Sequence, residues 1–191
     1  GFGNLAAGNV SITNLCNNSG VIASDTTGVG QIRTYGRAAG YGGDKGIFGF
    51  GINGATRYSL TNLVNNSGVV ASDTTGVSGV TAKDQLAAAG YGGDKAIFAY
   101  GQTASSQLSA SNLISNSGVV AADVTGVGTA RSSLAATNYG GDKAVFALGN
   151  TGTSELTTRN LVSNTGVVSA DATGAGTGTS GAAAAGFSLD A

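Results

Sequence analysis

A sixteen-residue signature written four times restricts the fold of this chain more than any other feature it has. Thr61-Asn62-Leu63-Val64-Asn65-Asn66-Ser67-Gly68-Val69-Val70-Ala71-Ser72-Asp73-Thr74-Thr75-Gly76 has close copies starting at Thr13, Ser111 and Arg159. Their aspartates Asp25, Asp73, Asp123 and Asp171 lie 48, 50 and 48 residues apart, so four repeats fill nearly all of the 191 residues. A period of that length carries one supersecondary unit per repeat, and such units bury their apolar faces against one another. The expectation is one domain over residues 1–191, with its function spread over an array.

Composition limits what such an array can be. Hydrophobic residues make up 41 % of the chain but aromatics only 6 %, so the core is expected to be thin and built from small side chains. Charged residues make up 10 % and the net charge is −1, which supplies no field for nucleic acid or an anionic membrane. No run of eighteen apolar residues occurs, so no membrane insertion is expected. The chain lacks Met and starts part-way through a repeat, which suggests a processed, secreted and extracellular protein. Cys16 stands where the other copies carry Val64, Ile114 and Val162, and is expected to be a small buried hydrophobe.

Thirty-four glycines without a proline suit short strands joined by tight turns. In the third repeat, residues 86–91 form a small-residue strand, and Gly92-Gly93-Asp94-Lys95 makes a hairpin turn into residues 96–101. A third strand is expected over residues 107–115, and a fourth over residues 119–123 after the Asn116-Ser117-Gly118 turn. No segment holds helical periodicity, and the alanine-rich residues 182–185 are assigned to a strand. Four short antiparallel strands in about fifty residues describe a β-propeller blade. Alanines at 38–39, 87–89, 135–136 and 182–185 give the small innermost strands that only four blades around an axis require. The fold expected is therefore all-β: a four-bladed propeller with four antiparallel strands per blade.

The run Arg131, Leu134-Ala135-Ala136, then Tyr139-Gly140-Gly141-Asp142-Lys143-Ala144-Val145-Phe146-Ala147-Leu148-Gly149 resembles a degenerate kelch repeat. It departs from that pattern in lacking the kelch tryptophan and the full glycine doublet after the second strand. Motifs of the form YGGDKAIFGYG and TNLVSNTGVV are also similar to repeats of phage-associated and environmental bacterial proteins. That similarity implies a component of an extracellular fibre.

The termini fall inside one repeat. Gly1-Phe2-Gly3 aligns with Gly49-Phe50-Gly51, and residues 187–191 align with residues 41–45, leaving no counterpart of Gly46-Ile47-Phe48. One blade is then shared by the N- and C-terminal segments. Either it closes within one chain, or a neighbouring subunit completes it by β-augmentation and builds a fibre. Gly1, Phe2, Asp190 and Ala191 are the candidate inter-subunit contacts at this seam.

Other candidates follow from residue type. Without histidine, His-based acid–base catalysis and His-ligated metals are excluded, and a serine or cysteine nucleophile lacks its usual base. No enzyme, cofactor or metal is expected. The recurring aspartates have two readings: a repeated calcium or sugar site, or turn residues accepting backbone N–H groups. The turn pairs Asp44-Lys45, Asp94-Lys95 and Asp142-Lys143 are either solvated or fix the register of stacked subunits. Asn14, Asn62, Asn112 and Asn160 are expected to hydrogen-bond between blades, and Tyr41, Tyr91 and Tyr139 either pack there or stack on sugar. Asn9, Asn17 and Asn65 fit the N-glycosylation pattern, and a covalent glycan would offset the low surface charge. The expectation is a glycosylated homopolymeric filament of stacked propellers. The alternative is a carbohydrate-binding adhesin or phage receptor-binding module.

Overall fold

The computed structural model describes residues 1–76 and 78–186, and over them the chain is all-β with no helix. The second repeat builds a three-stranded antiparallel sheet, in which β3 (Arg37–Tyr41) pairs with β4 (Lys45–Gly49) and β4 with β7 (Thr61–Val64). The third repeat does the same with β8 (Ala87–Tyr91), β9 (Lys95–Ala99) and β10 (Ser111–Ile114). The fourth does so with β11 (Ala135–Tyr139), β12 (Lys143–Ala147) and β13 (Arg159–Val162). Two small hairpins, β1 (Gly3–Leu5) with β2 (Gly8–Val10) and β5 (Ile52–Asn53) with β6 (Thr56–Arg57), complete five sheets.

The sheets of the second, third and fourth repeats each have three strands, not the four expected. The fourth segment joins its neighbour through two isolated bridges, Val64↔Val70 and Thr61↔Thr74 in the second repeat. Between these bridges the outer segment gains one residue, a bulge, and a continuous ladder cannot form. The same pair of bridges recurs as Cys16↔Ile22 and Thr13↔Thr26, Ile114↔Val120 and Ser111↔Val124, and Val162↔Val168 and Arg159↔Ala172.

Local chemistry accounts for the regular parts. The hairpin between β3 and β4 turns through Gly42 and Gly43, both at positive φ (62° and 81°), where a Cβ would be strained. Strand β9 carries Ala96, Ile97, Phe98 and Ala99, all fully buried. A strand buried on both faces reads as an unbroken apolar run. It is covered on both sides because the sheets stack, with β3 and β11 both lying against β8. One apolar cluster joins the second and third repeats through Phe50, Phe98 and Ile114, and another joins the third and fourth through Tyr100, Phe146 and Val162. The core thus sits between sheets. Small residues on the first strands permit this: a Cβ on Gly90 would stand 3.8 Å from the Gly40 carbonyl oxygen.

Identical backbone bonds step from repeat to repeat. Gly3, Gly51, Gly101 and Gly149 donate N–H to the carbonyls of Arg33, Lys83, Arg131 and Thr179. Gln85, Ser133 and Gly181 donate to Tyr35, Gln85 and Ser133 in turn. These steps run through left-handed backbone, at Phe2, Phe50, Tyr100 and Leu148 (φ 61° to 65°) and at Tyr35, Gln85 and Ser133 (φ 52° to 55°). A non-glycine residue held there costs about 1 kcal/mol or more and persists only where its surroundings over-determine it.

Residues 182–185 do not form the strand expected of them. Alanine and glycine favour strand weakly, and among the described residues no second strand pairs with this segment. In the other three repeats the second strand holds the first in place. Residues 187–191, with Asp190 and Ala191, lie outside the described residues.

Candidate functional site: a repeated cation, asparagine and aspartate cluster

The recurring asparagines and aspartates come together. In all four repeats the Asn side chain donates through Nδ2 to the Oδ1 of the Asp eleven residues on, at 2.7 Å for Asn14–Asp25, 2.9 Å for Asn62–Asp73, 2.8 Å for Asn112–Asp123 and 2.9 Å for Asn160–Asp171. It donates also to the carbonyls of Ala23, Ala71, Ala121 and Ser169. The bulge in the outer segment is what aims each Asp at its Asn. These bonds run within a repeat, not between blades as expected.

A buried cation completes three of the four clusters. Arg33 donates to Asn62 Oδ1 at 2.5 Å, Lys83 to Asn112 Oδ1 at 2.7 Å and Arg131 to Asn160 Oδ1 at 2.7 Å. Each cation faces an aromatic ring of the preceding repeat, Phe2 at 4.1 Å, Phe50 at 4.9 Å and Tyr100 at 4.0 Å. These rings in turn meet Phe48, Phe98 and Phe146 edge-on or tilted, with centroids 5.2 to 5.5 Å apart. The cation is therefore the link between repeats, and sequence reading missed it. A signal was available: three positions have an aromatic residue and a matching cation, and the last has Leu148 facing Thr179, with neither.

Electrostatics follow from burial. Desolvation lowers the Arg33 guanidinium against the pull of Asp73, and it lowers Lys83 to about 8 against the pull of Asp123. Burial pushes Asp123 and Asp171 up, but hydrogen bonds from Thr81 and Asn112, and from Thr129 and Asn160, outweigh it and leave both below the usual carboxylate range. The second oxygens of Asp73, Asp123 and Asp171 accept backbone N–H from Gln31, Thr81 and Thr129. The aspartates do accept backbone N–H groups, but from the segment entering the same repeat, not from their own turn. Among the described residues no three His, Cys, Asp or Glu side chains are placed to hold a metal ion.

The turn pairs are neighbours in space as in sequence: Lys45–Asp44, Lys95–Asp94 and Lys143–Asp142 at 3.0, 2.9 and 3.1 Å. The second oxygen of each Asp accepts from Asn66, Asn116 or Asn164. These exposed pairs pin two turns of one repeat together. Tyr41 and Tyr91 are buried, with ring edges against Gly118 and Gly166 of the next repeat, so they present no face for sugar stacking. Asn17 and Asn65 sit in exposed turns, where Oδ1 accepts N–H groups and shapes the turn. Asn9 instead spends its amide on the Ile52 carbonyl and Asn53.

The first repeat differs from the rest. Among the described residues nothing pairs with Asn14, Leu15 or Cys16 on the side where β4, β9 and β12 flank the other third strands. Asn14 is exposed while Asn62, Asn112 and Asn160 are fully buried. Cys16 is exposed too, correcting the expectation of a buried hydrophobe, because among the described residues no strand covers it as β4, β9 and β12 cover Val64, Ile114 and Val162. Gly1 abuts Thr13, as Gly49 pairs with Thr61, and Phe2 packs on Phe48, inside the molecule. The opposite boundary is open as well. A Cβ on Gly68, Gly118 or Gly166 would collide with Leu15, Leu63 or Leu113 of the preceding repeat, but on Gly20 it would meet nothing. Leu161, the matching leucine, is 40 % exposed beside a cleft of about 370 Å³ lined by Tyr139, Lys143 and Val167.

No family model matches the chain, and no curated protein matches it. It is similar in structure to the solved structure of YjhT, with a TM-score of 0.62 at 13 % identity over 81 % of this chain. The chain spans about half of that protein, 49 %, and the likeness is one of fold, in keeping with an all-β chain of small antiparallel sheets.

Proposed function

We propose that the chain is a four-bladed β-propeller, one blade of it shared by the two terminal segments, and that it serves as a non-enzymatic subunit of an extracellular, glycosylated filament. The observation that carries this reading is the edge at Asn14–Leu15–Cys16. An unpaired strand edge templates pairing with another chain, and here Leu15 and Ile22 are 47 % and 69 % exposed around it. The open boundary between Gly20 of the first repeat and Leu161 of the fourth adds a second apolar surface. Two different surfaces joined head to tail give an open fibre unless the rotation closes. The hydrogen bonds that tie each buried cation to its asparagine, and that asparagine to its aspartate, support a structural role over a catalytic one.

Electron microscopy of the purified chain is the test. Uniform fibres are expected for the native sequence, and dispersed particles for a Leu15→Lys, Leu161→Lys double variant. Native protein that stays monomeric at every concentration would overturn the filament reading. Glycosylation is read separately on secreted material, as mass above the bare 18.3 kDa chain.

A further inference from the structure

We infer that Lys83 and Asn112 are poised to join in a spontaneous isopeptide cross-link, with Asp123 holding the amide nitrogen that leaves. The inference is independent of the filament reading and stands whether or not the chain polymerises.

Three features of the third repeat carry it. Lys83 Nζ lies 2.7 Å from Asn112 Oδ1, one bond from the carboxamide carbon it must reach, and reacting atoms meet from about 3 to 3.5 Å. Asp123 Oδ1 accepts from Asn112 Nδ2 at 2.8 Å, placing a carboxylate on the group that must leave. The site is closed: Lys83 and Asn112 are fully buried beneath the Phe50 ring, so water does not compete for the amide.

The charged group facing Lys83 is Asp123, and burial outweighs it, so a share of the amine is neutral near pH 8. The neutral Nζ attacks Cγ of Asn112 and forms the new C–N bond. The proton released by Nζ transfers to Nδ2, which its hydrogen bond to Asp123 holds in place, the Cγ–Nδ2 bond breaks, and ammonia departs. Overall, a lysine ammonium and an asparagine amide give a secondary amide and one ammonium ion. No oxidant or co-reactant is needed.

The two sister clusters sharpen the point. Arg33 and Arg131 occupy the same place and make the same bond to Asn62 and Asn160, but a guanidinium stays protonated and does not attack. Each arginine also reaches a backbone carbonyl and the cluster Asp, at 3.6 and 3.9 Å, whereas Lys83 makes no such ion pair. As a structural link lysine is the poorer choice. As a nucleophile it is the one cation of the three that can react.

The test is peptide mapping of the full chain, produced without glycan and incubated at pH 8. The expected result is a chain about 17 Da lighter than its sequence, one ammonia, with a branched peptide joining Lys83 to Asn112. Lys83→Arg, which installs the residue native to the sister clusters, should fold and keep full mass. Asp123→Asn should form the link at least about tenfold more slowly, as expected when the carboxylate positioned on the leaving nitrogen is lost. Full mass in the native chain would overturn the inference. A 17 Da loss that survives in Lys83→Arg would overturn it too, since that is a succinimide at some asparagine.

Discussion

One residue type in four nearly identical sequence contexts does two different jobs here. Asn62, Asn112 and Asn160 are buried, with Oδ1 taken by a cation and Nδ2 by an aspartate and a carbonyl, while Asn14 makes the same aspartate bond in the open. Removing Asn62 leaves Arg33 enclosed without its acceptor, and an unsatisfied buried charge is expensive. Asn62→Ala is expected to cost about 2 to 4 kcal/mol in chemical denaturation. Asn14→Ala should cost under about 0.5 kcal/mol, as at other exposed sites. Equal losses at both positions would mean that the cations do not hold the repeats together. The aspartate and asparagine were readable as recurring letters, but their pairing was not, because it depends on a bulge that no residue type announces.

At the scale of the element, the hairpins were legible and the outer segments were not. Paired glycines before Asp44, Asp94 and Asp142, followed by β-branched and aromatic residues, specify a tight turn and a buried strand by local chemistry alone. The outer segment has an equally strand-like Val-Val start, yet its single-residue slip breaks the ladder so that an acidic side chain can face inward. Strand β9 is where packing is tightest. Phe98→Ala removes a fully buried ring packed edge-to-face with Phe50, and is expected to cost about 3 to 5 kcal/mol by thermal or urea unfolding. Its counterpart Phe48 is half-buried in β4, and Phe48→Ala should cost less, about 1 to 3 kcal/mol. The reverse order would place the tightest packing at the first boundary between repeats.

For the molecule as a whole, acid is the condition that acts on the second, third and fourth repeats at once. Asp44, Asp94, Asp123, Asp142 and Asp171 all titrate below the ordinary carboxylate value in the folded chain. The unfolded chain therefore binds more protons in that window. The stability these groups contribute is complete above about pH 4 and is lost as pH falls through their folded values. Thermal scans should show the melting temperature dropping between about pH 5 and about pH 2. Asp171→Asn should melt lower at neutral pH and show a shallower acid decline. A native melting temperature that is flat across this range would contradict the sign. The sequence by itself determined the number of repeats, the all-β character, the hairpin turns and the small first strands, because each follows from local preference or from periodicity. Tertiary structure alone decided which cation meets which asparagine, why Cys16 is exposed while Ile114 is buried, and where the array stays open. Those outcomes depend on contacts between segments about thirty to fifty residues apart, and the entropy of closing such loops is repaid only by packing that no single repeat contains.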